Sequence, residues 1–357
     1  MSRLKVAVVG VGALGRHHAR ILGELPSADL VAVAETNPET GKRVADACGT
    51  TWVADYRELC DRVDAVSIAV PTSAHCAVAS EFLERRIPLF VEKPLAANVD
   101  EAQQLVDAAT RNQTLVQVGH VERYNPATVA ARQVCGRPSY IRAERLSPYS
   151  FRSTDIGVVH DLMIHDLDLV LDLVDAPVRH VEAFGLSVIG GHEDAVQARI
   201  VFENGCIADL TASRVNPSAQ RSMQIWSNSG TVTIDFGSRE VVCYRPSHAL
   251  KFGKPLLERA AQPGADVEQL KADVFGKFIE VVHPAVSNGD ALTAELETFV
   301  DCVQTNRQPV VGCREALRAM QVAERVLNSV ETHQWHGQAH GAVGPFPQLF
   351  DDQKLAG

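Results

Sequence analysis

Three groups of residues in this 357-residue chain have the types and spacings that chemistry needs. Gly10, Gly12 and Gly15 form a Gly-x-Gly-x-x-Gly fingerprint at the end of the apolar run VAVVG. Glycines in that pattern permit a tight turn, let backbone approach a pyrophosphate and let a helix pack closely on a strand. A helix opening there offers free N–H groups and a positive dipole end, so Gly10 to Gly15, with Ala13 and Leu14 between, would line a dinucleotide phosphate site. Glu35 follows 20 residues after Gly15, where its carboxylate would accept the adenosine ribose hydroxyls and repel a 2′-phosphate. Thr36, Asn37 and Pro38 supply no arginine for such a phosphate, so NAD is favoured over NADP. The same residues also read as a turn cluster without a ligand and a solvated strand-end acid.

Glu92-Lys93-Pro94 closes a later apolar run, at the strand end where open α/β sheets bind ligands. Lys93 would point toward the cofactor crevice; a surface lysine beside a strand-ending proline is the plainer reading. Asp161 and His165 stand four apart in HDLMIHDLDL, hence on one face of a helix that Asp168 and Asp172 would continue. A carboxylate one turn from an imidazole can fix its tautomer, which suits a general base. That face also reads as a solvated acidic stripe or as a carboxylate–His metal site. With no cysteine or further histidine at ligand spacing, no metal is expected.

These residues need elements to position them. Short apolar runs at 4–10, 29–35, 65–70, 87–92 and 114–119 alternate with helix-like stretches at 15–25, 39–48, 74–85 and 99–110. Continuous apolar strands separated by helices indicate a doubly wound parallel sheet, covered on both faces. Beyond about residue 120 the pattern changes. A helix over 161–174 precedes alternating runs at 180–188, 194–203, 206–215, 221–228 and 231–244, with hairpin signals at Asn204-Gly205 and Ser229-Gly230. This predicts a second, α+β domain with a largely antiparallel sheet. Residues 246–292 read as loops with one or two helices, and a helix pair closes the fold at 293–305 and 313–331. The expected division is 1–122 for dinucleotide binding, 123–331 for substrate and oligomer contacts with the closing helices of 293–331 packing near the domain junction, and 332–357 as a loose tail.

Composition bounds the function. Apolar residues at 46% and charged residues at 22% describe an ordinary globular chain. A net charge of −10 without a basic cluster argues against nucleic acid as a partner. No apolar run reaches the length of a membrane-spanning helix. Arg3 and Lys5 before VAVVGVGALG imitate a signal peptide, but three glycines break the run and no cleavage site follows. The eight cysteines lack redox or zinc spacing and are expected as reduced thiols in a cytoplasm.

The chain resembles the glucose-fructose oxidoreductase/inositol dehydrogenase family, written Gfo/Idh/MocA, over roughly residues 4–330. The likeness rests on the glycine fingerprint, Val70-Pro71-Thr72 with His75, the VEKPLA signature at 91–96, the Asp161/His165 pair and the closing helices. It implies Lys93, Asp161 and His165 as the catalytic group, with Val70, Pro71, Thr72, His75 and Glu92 added to the NAD-binding residues. The family motif D-x-G-x-H departs here, with Met163 in place of glycine. The implied reaction is hydride transfer between a sugar or cyclitol hydroxyl carbon and NAD, in a homodimer or homotetramer. The second domain's open sheet face and the 161–174 helix are expected across a cleft from the nicotinamide.

GHVERYNPA (119–127) and DLMIHDLDL (161–169) look most like the branch that oxidises the 3-hydroxyl of UDP-N-acetylglucosamine. Arg123, Tyr124 and Asn125 would meet the sugar or uracil. Of Arg142, Arg145 and Arg152, guanidinium forks suited to a pyrophosphate, 142 and 145 would face opposite ways on a strand, so at most two share a site. An inositol or free-sugar dehydrogenase, a catalytically silent NAD-binding protein, and a lyase or hydrolase using tightly held NAD remain open alternatives.

Overall fold

The continuous apolar runs of the first 120 residues become the strands of a buried sheet. A computed structural model describes residues 3–151, 156–189, 191–335 and 338–339. Strands β1 (Leu4–Val9), β2 (Ala28–Ala34), β3 (Thr51–Val53), β4 (Ala65–Ile68), β5 (Leu89–Glu92) and β6 (Val116–Gly119) alternate with helices α1 (Gly15–Glu24), α2 (Pro38–Cys48), α3 (Thr72–Glu84) and α4 (Val99–Asn112). All pairings are parallel, in the order β3-β2-β1-β4-β5-β6. β4, β5 and β6 are buried at every residue, which is why their sequences show no alternation. The order reverses between β1 and β4, and crevices at such a reversal take the ligand beyond the strands' carboxyl ends. β3, three residues long, is too short to stand out in the sequence.

The second unit contains α5 (Pro126–Arg132), β7 (Pro138–Leu146), a π-type turn at Val159–Met163 and α6 (Ile164–Val174). Then come β8 (Val178–Leu186), β9 (Ala195–Phe202), β10 (Ile207–Ser213), β11 (Gln220–Ser227), β12 (Gly230–Asp235) and β13 (Glu240–Pro246). Three short helices follow, α7 (His248–Phe252), α8 (Leu256–Ala260) and α9 (Val267–Ala272), before β14 (Ile279–Val282). One eight-stranded sheet results, in the order β14-β13-β12-β11-β7-β10-β9-β8. β7 runs parallel to β10; the other neighbours are antiparallel. Alternate residues such as Val196, Ala198, Ile200 and Phe202 are buried, while Gln197 and Arg199 lie on the open face. Both predicted hairpins form, with Gly205 and Gly230 at positive φ of 86° and 132°. The run read as one strand over 231–244 is a hairpin, β12 and β13, and β7 was not among the expected strands.

Two helices close the chain, α10 (Ala291–Thr305) and α11 (Cys313–Thr332). The chain divides into Met1–Tyr124 with Gly289–Glu324, and Asn125–Asn288 with Arg325–Gly357. This corrects the expected boundaries: α10 and the first part of α11 belong with the nucleotide-binding sheet. Leu296, Phe299 and Val300 pack into one core with Val6, Val8, Leu22 and Phe90. Of the expected loose tail, Gln334–Trp335 pairs with Gln338–Ala339; residues 336–337 and 340–357 lie outside the described residues. No described helix is long and apolar enough to cross a membrane.

Candidate active site

The three fingerprint glycines turn out to have three different reasons. Gly10 adopts a φ of 81°, and a side chain there would lie 2.8 Å from the backbone of Ala69 and Val70. A side chain on Gly15 would overlap the Gly10 carbonyl. Gly12, by contrast, is exposed, and a Cβ there would meet no protein atom within 4 Å. Packing does not require a glycine at 12, but close approach of a ligand does. Helix α1 begins beside it with no side-chain cap and no acidic residue in its first turn, whereas α2 and α4 are capped by Asn37 and Asn98. Exposed Ala13 and Leu14 complete this rim. An uncapped helix end of this kind accepts an anion.

Glu35 follows β2 and closes the other side of the loop. Its Oε2 accepts the Val11 N–H at 3.0 Å and its Oε1 the Asn37 N–H at 3.0 Å. An exposed glycine, an uncapped helix and an acid at the second strand's tip together fit the phosphate and ribose of NAD.

The EKP segment sits at the end of β5, two strands from β1. Glu92 is buried and Lys93 half-buried. Burial alone would push the Glu92 carboxyl up, but the hydrogen bond and charge of His18, with the charge and backbone N–H of Lys93, outweigh it and hold it below the usual carboxylate range. His75, expected among the cofactor contacts, is 1% exposed. Its ring nitrogens lie 2.9 Å from the carbonyl oxygens of Val70 and Pro94. Burial pushes its imidazole below the usual range, against the pull of those carbonyls. His75 therefore joins the Val70 and Lys93 loops from beneath rather than reaching a ligand, which corrects its expected role. Pro71 is exposed and Val70 and Thr72 are half-buried at the start of α3.

In the second unit, Asp161 lies in the π-type turn and His165 on the first turn of α6. Both are half-buried. The predicted stacking therefore spans a change of helix type, and π-type turns recur at functional sites. Met163, in the position of the family glycine, is fully buried. The segment before the turn is held by residues the sequence did not single out. The Glu193 carboxylate accepts the Val159 N–H at 3.2 Å and fills the space where a Gly157 side chain would be. Arg214 donates to the Ile156 carbonyl and to Asp194, each at 2.7 Å. Nor is the acidic stripe solvated: Asp168 is buried and Asp172 pairs with Arg132.

Other expected substrate contacts separate. Arg145 is buried and forks onto Asp166 at 2.8 and 3.0 Å, so its guanidinium is an internal ion pair and not open to a pyrophosphate. Arg142 projects from the opposite face of β7 and pairs with Glu144. Arg123 is buried in a 3-10 turn after β6, with Tyr124 half-buried beside it. Asn125 caps α5 through the Ala127 N–H. Arg152 lies outside the described residues. Among the described residues no cluster of three or more His, Cys, Asp or Glu side chains could hold a metal ion.

The sequence and the fold match those of known proteins. Residues 4–120 match the oxidoreductase family with an NAD-binding Rossmann fold, and residues 128–233 match the Gfo/Idh/MocA C-terminal domain. The UDP-N-acetylglucosamine 3-dehydrogenase of Acidithiobacillus ferrooxidans is 33% identical over 90% of this chain and 97% of its own length. Its solved structure superposes with a TM-score of 0.81 at 31% identity, covering 92% of this chain and 98% of that one. The inositol 2-dehydrogenase of Rubrobacter xylanophilus is 34% identical, over 52% of this chain and 56% of its own. A levoglucosan dehydrogenase in complex with NADH shares the fold, with a TM-score of 0.76 at 20% identity over 92% of this chain and 97% of that one. The chain belongs to the Gfo/Idh/MocA family of NAD-dependent oxidoreductases.

Proposed function

We propose that the protein oxidises a sugar hydroxyl with NAD, and that its preferred substrate is a UDP-linked N-acetylhexosamine, oxidised at C3 to the 3-keto sugar. The observation that carries this is the 33% identity to a UDP-N-acetylglucosamine 3-dehydrogenase over 90% of the chain, against inositol dehydrogenases that match nearly the full length at 25% or half of it at 34%. Bound NAD supplies the hydride acceptor. His165 takes the hydroxyl proton, and Asp161 holds the imidazole in the tautomer that can accept it. The Lys93 ammonium stabilises the developing alkoxide. Gly10 to Gly15 hold the pyrophosphate and Glu35 the ribose, with NAD preferred over NADP. With Arg145 sealed against Asp166, the nucleotide-sugar reading no longer draws on that arginine. The open face of the eight-stranded sheet, where Tyr140 and half-exposed Trp226 meet at a tilt with ring centroids 4.8 Å apart, supports a homodimer or homotetramer.

An inositol or free-sugar dehydrogenase is the second reading, favoured by the inositol relatives. NADH production with UDP-N-acetylglucosamine, free N-acetylglucosamine, glucose and myo-inositol at equal concentration decides. Fastest turnover of the nucleotide sugar is expected; faster turnover of any unphosphorylated polyol overturns that substrate and leaves the dehydrogenase intact.

A further inference from the structure

Beneath the Lys93 loop three polar side chains meet in the dry interior of the nucleotide-binding unit. Ser67 on β4 and His18 on α1 have no exposure, and Ser67 Oγ lies 2.8 Å from His18 Nδ1. The other ring nitrogen, Nε2, is 2.9 Å from Glu92 Oε1. Glu92 Oε2 in turn accepts the Lys93 N–H at 3.1 Å. A carboxylate can only accept, so Nε2 presents an N–H to Glu92 while Nδ1 partners the Ser67 hydroxyl. Two walls confine the chain. Phe90 meets the His18 ring edge-on at 5.3 Å, and a side chain on Gly119 of β6 would lie 2.9 Å from Glu92 Oε2.

Packing alone does not call for these residues. Ser67 lies between Val66 and Ile68 in a wholly buried strand, and His18 shares the buried face of α1 with Ala19, Ile21 and Leu22. Apolar side chains would fill both positions without the cost of burying polar groups. We infer that the Ser67–His18–Glu92 chain is a positioning device for Lys93, which anchors the carboxylate next to that lysine and thereby sets the orientation and charge surroundings of its ammonium. His18 from α1 and Lys93 itself act on the Glu92 carboxylate, and His75 from α3 feels its charge in turn. Ser67 and His18 have no exposed surface to offer a substrate; they act through Glu92. The inference rests on the proposed role of Lys93 in the reaction.

The test reads Lys93 directly, with no substrate present. Lysines are reductively methylated with 13C-formaldehyde, the Lys93 signal is identified by its loss in Lys93→Arg, and its titration is followed by NMR. In Glu92→Gln the Lys93 midpoint should fall by about one pH unit, the lower end of what one opposite neighbouring charge contributes. kcat should drop about tenfold, its alkaline limb should move to lower pH by the same amount, and KM should change less than about threefold. His18→Phe, which leaves the buried carboxylate without its imidazole, should act in the same direction and also lower the melting temperature. The double variant leaves no unpaired buried carboxylate, so thermal stability should recover while the Lys93 titration stays displaced. Recovery of both, or an unmoved Lys93 titration in any folded variant, overturns the inference. Should Glu92→Gln not fold, His18→Phe and the double variant decide alone. Wild-type protein that oxidises no sugar would instead sink the proposed function and leave the NMR arm standing.

Discussion

The backbone N–H of Val11 donates to the carboxylate of Glu35 across 3.0 Å, so the middle of the glycine loop and the acid after the second strand form one unit. With Asn37 N–H on the other oxygen, the carboxylate is oriented before any ribose arrives. Glu35→Ala should weaken NAD by about 10- to 100-fold, the equivalent of 1.5–3 kcal/mol for charge-assisted hydrogen bonds, and leave NADP unchanged or improved. Fluorescence titration with both cofactors measures this. Wild-type protein that already prefers NADP would contradict the account.

Gly12 and Gly15 should respond differently to the same methyl group. Gly12→Ala meets open space, so it should melt within about 2 °C of wild type yet lose about tenfold or more in NAD affinity. Gly15→Ala collides with the Gly10 carbonyl and should destabilise the fold by about 1–3 kcal/mol. Denaturation curves paired with NAD titrations separate the two, and normal NAD binding by Gly12→Ala would remove the phosphate from this loop.

Lys93→Met and His165→Asn should each lower turnover by roughly 10²–10⁴-fold, the span of a lost acid–base or charge-stabilising group. NAD affinity should survive in the His165 variant. Steady-state kinetics alongside NAD titration checks both, and near-normal turnover in either variant takes that residue out of the mechanism.

Asp194 sets an acid limit on stability. Its carboxylate takes the N–H groups of Val188 and Ile189 and the Arg214 guanidinium, each at 2.7 Å. Burial pushes the carboxyl up, but these hydrogen bonds and the Arg214 charge outweigh it and hold it below the usual aspartate range. A carboxyl depressed in the folded state contributes stability that is full above the unfolded value, about 3.9, and lost as pH falls through the folded one. Asp194→Asn should therefore cost about 3 kcal/mol at pH 7, and the gap to wild type should narrow below about pH 4. Urea melts between pH 7 and pH 3 read this; a gap of constant size would show that the charge is not what matters.

Local signals were legible in the sequence because their causes are local. A glycine turn between an apolar strand and a helix, an acid twenty residues on and a lysine ending a strand depend only on torsion angles and chain adjacency. So do the two hairpins, and the parallel sheet announces itself through continuous apolar runs separated by helices. β7 leaves no clear strand signal because it carries Arg142 and Glu144 on its open face and Arg145 among its buried residues, which breaks the apolar alternation.

What only the tertiary structure decided is which distant groups meet. An amphipathic helix announces that one face is buried but not against what, so α10 and the start of α11 could not be assigned from sequence to the nucleotide-binding unit. Arg145 had the chemistry of a phosphate ligand, and a carboxylate on the neighbouring helix, Asp166, took it instead. His18 carried one overlooked signal, an imidazole on the apolar stripe of α1, yet its partners Ser67 and Glu92 lie 49 and 74 residues further on. Periodicity reports the environment of a residue, not the identity of its neighbours, and a buried polar group takes its function from those neighbours.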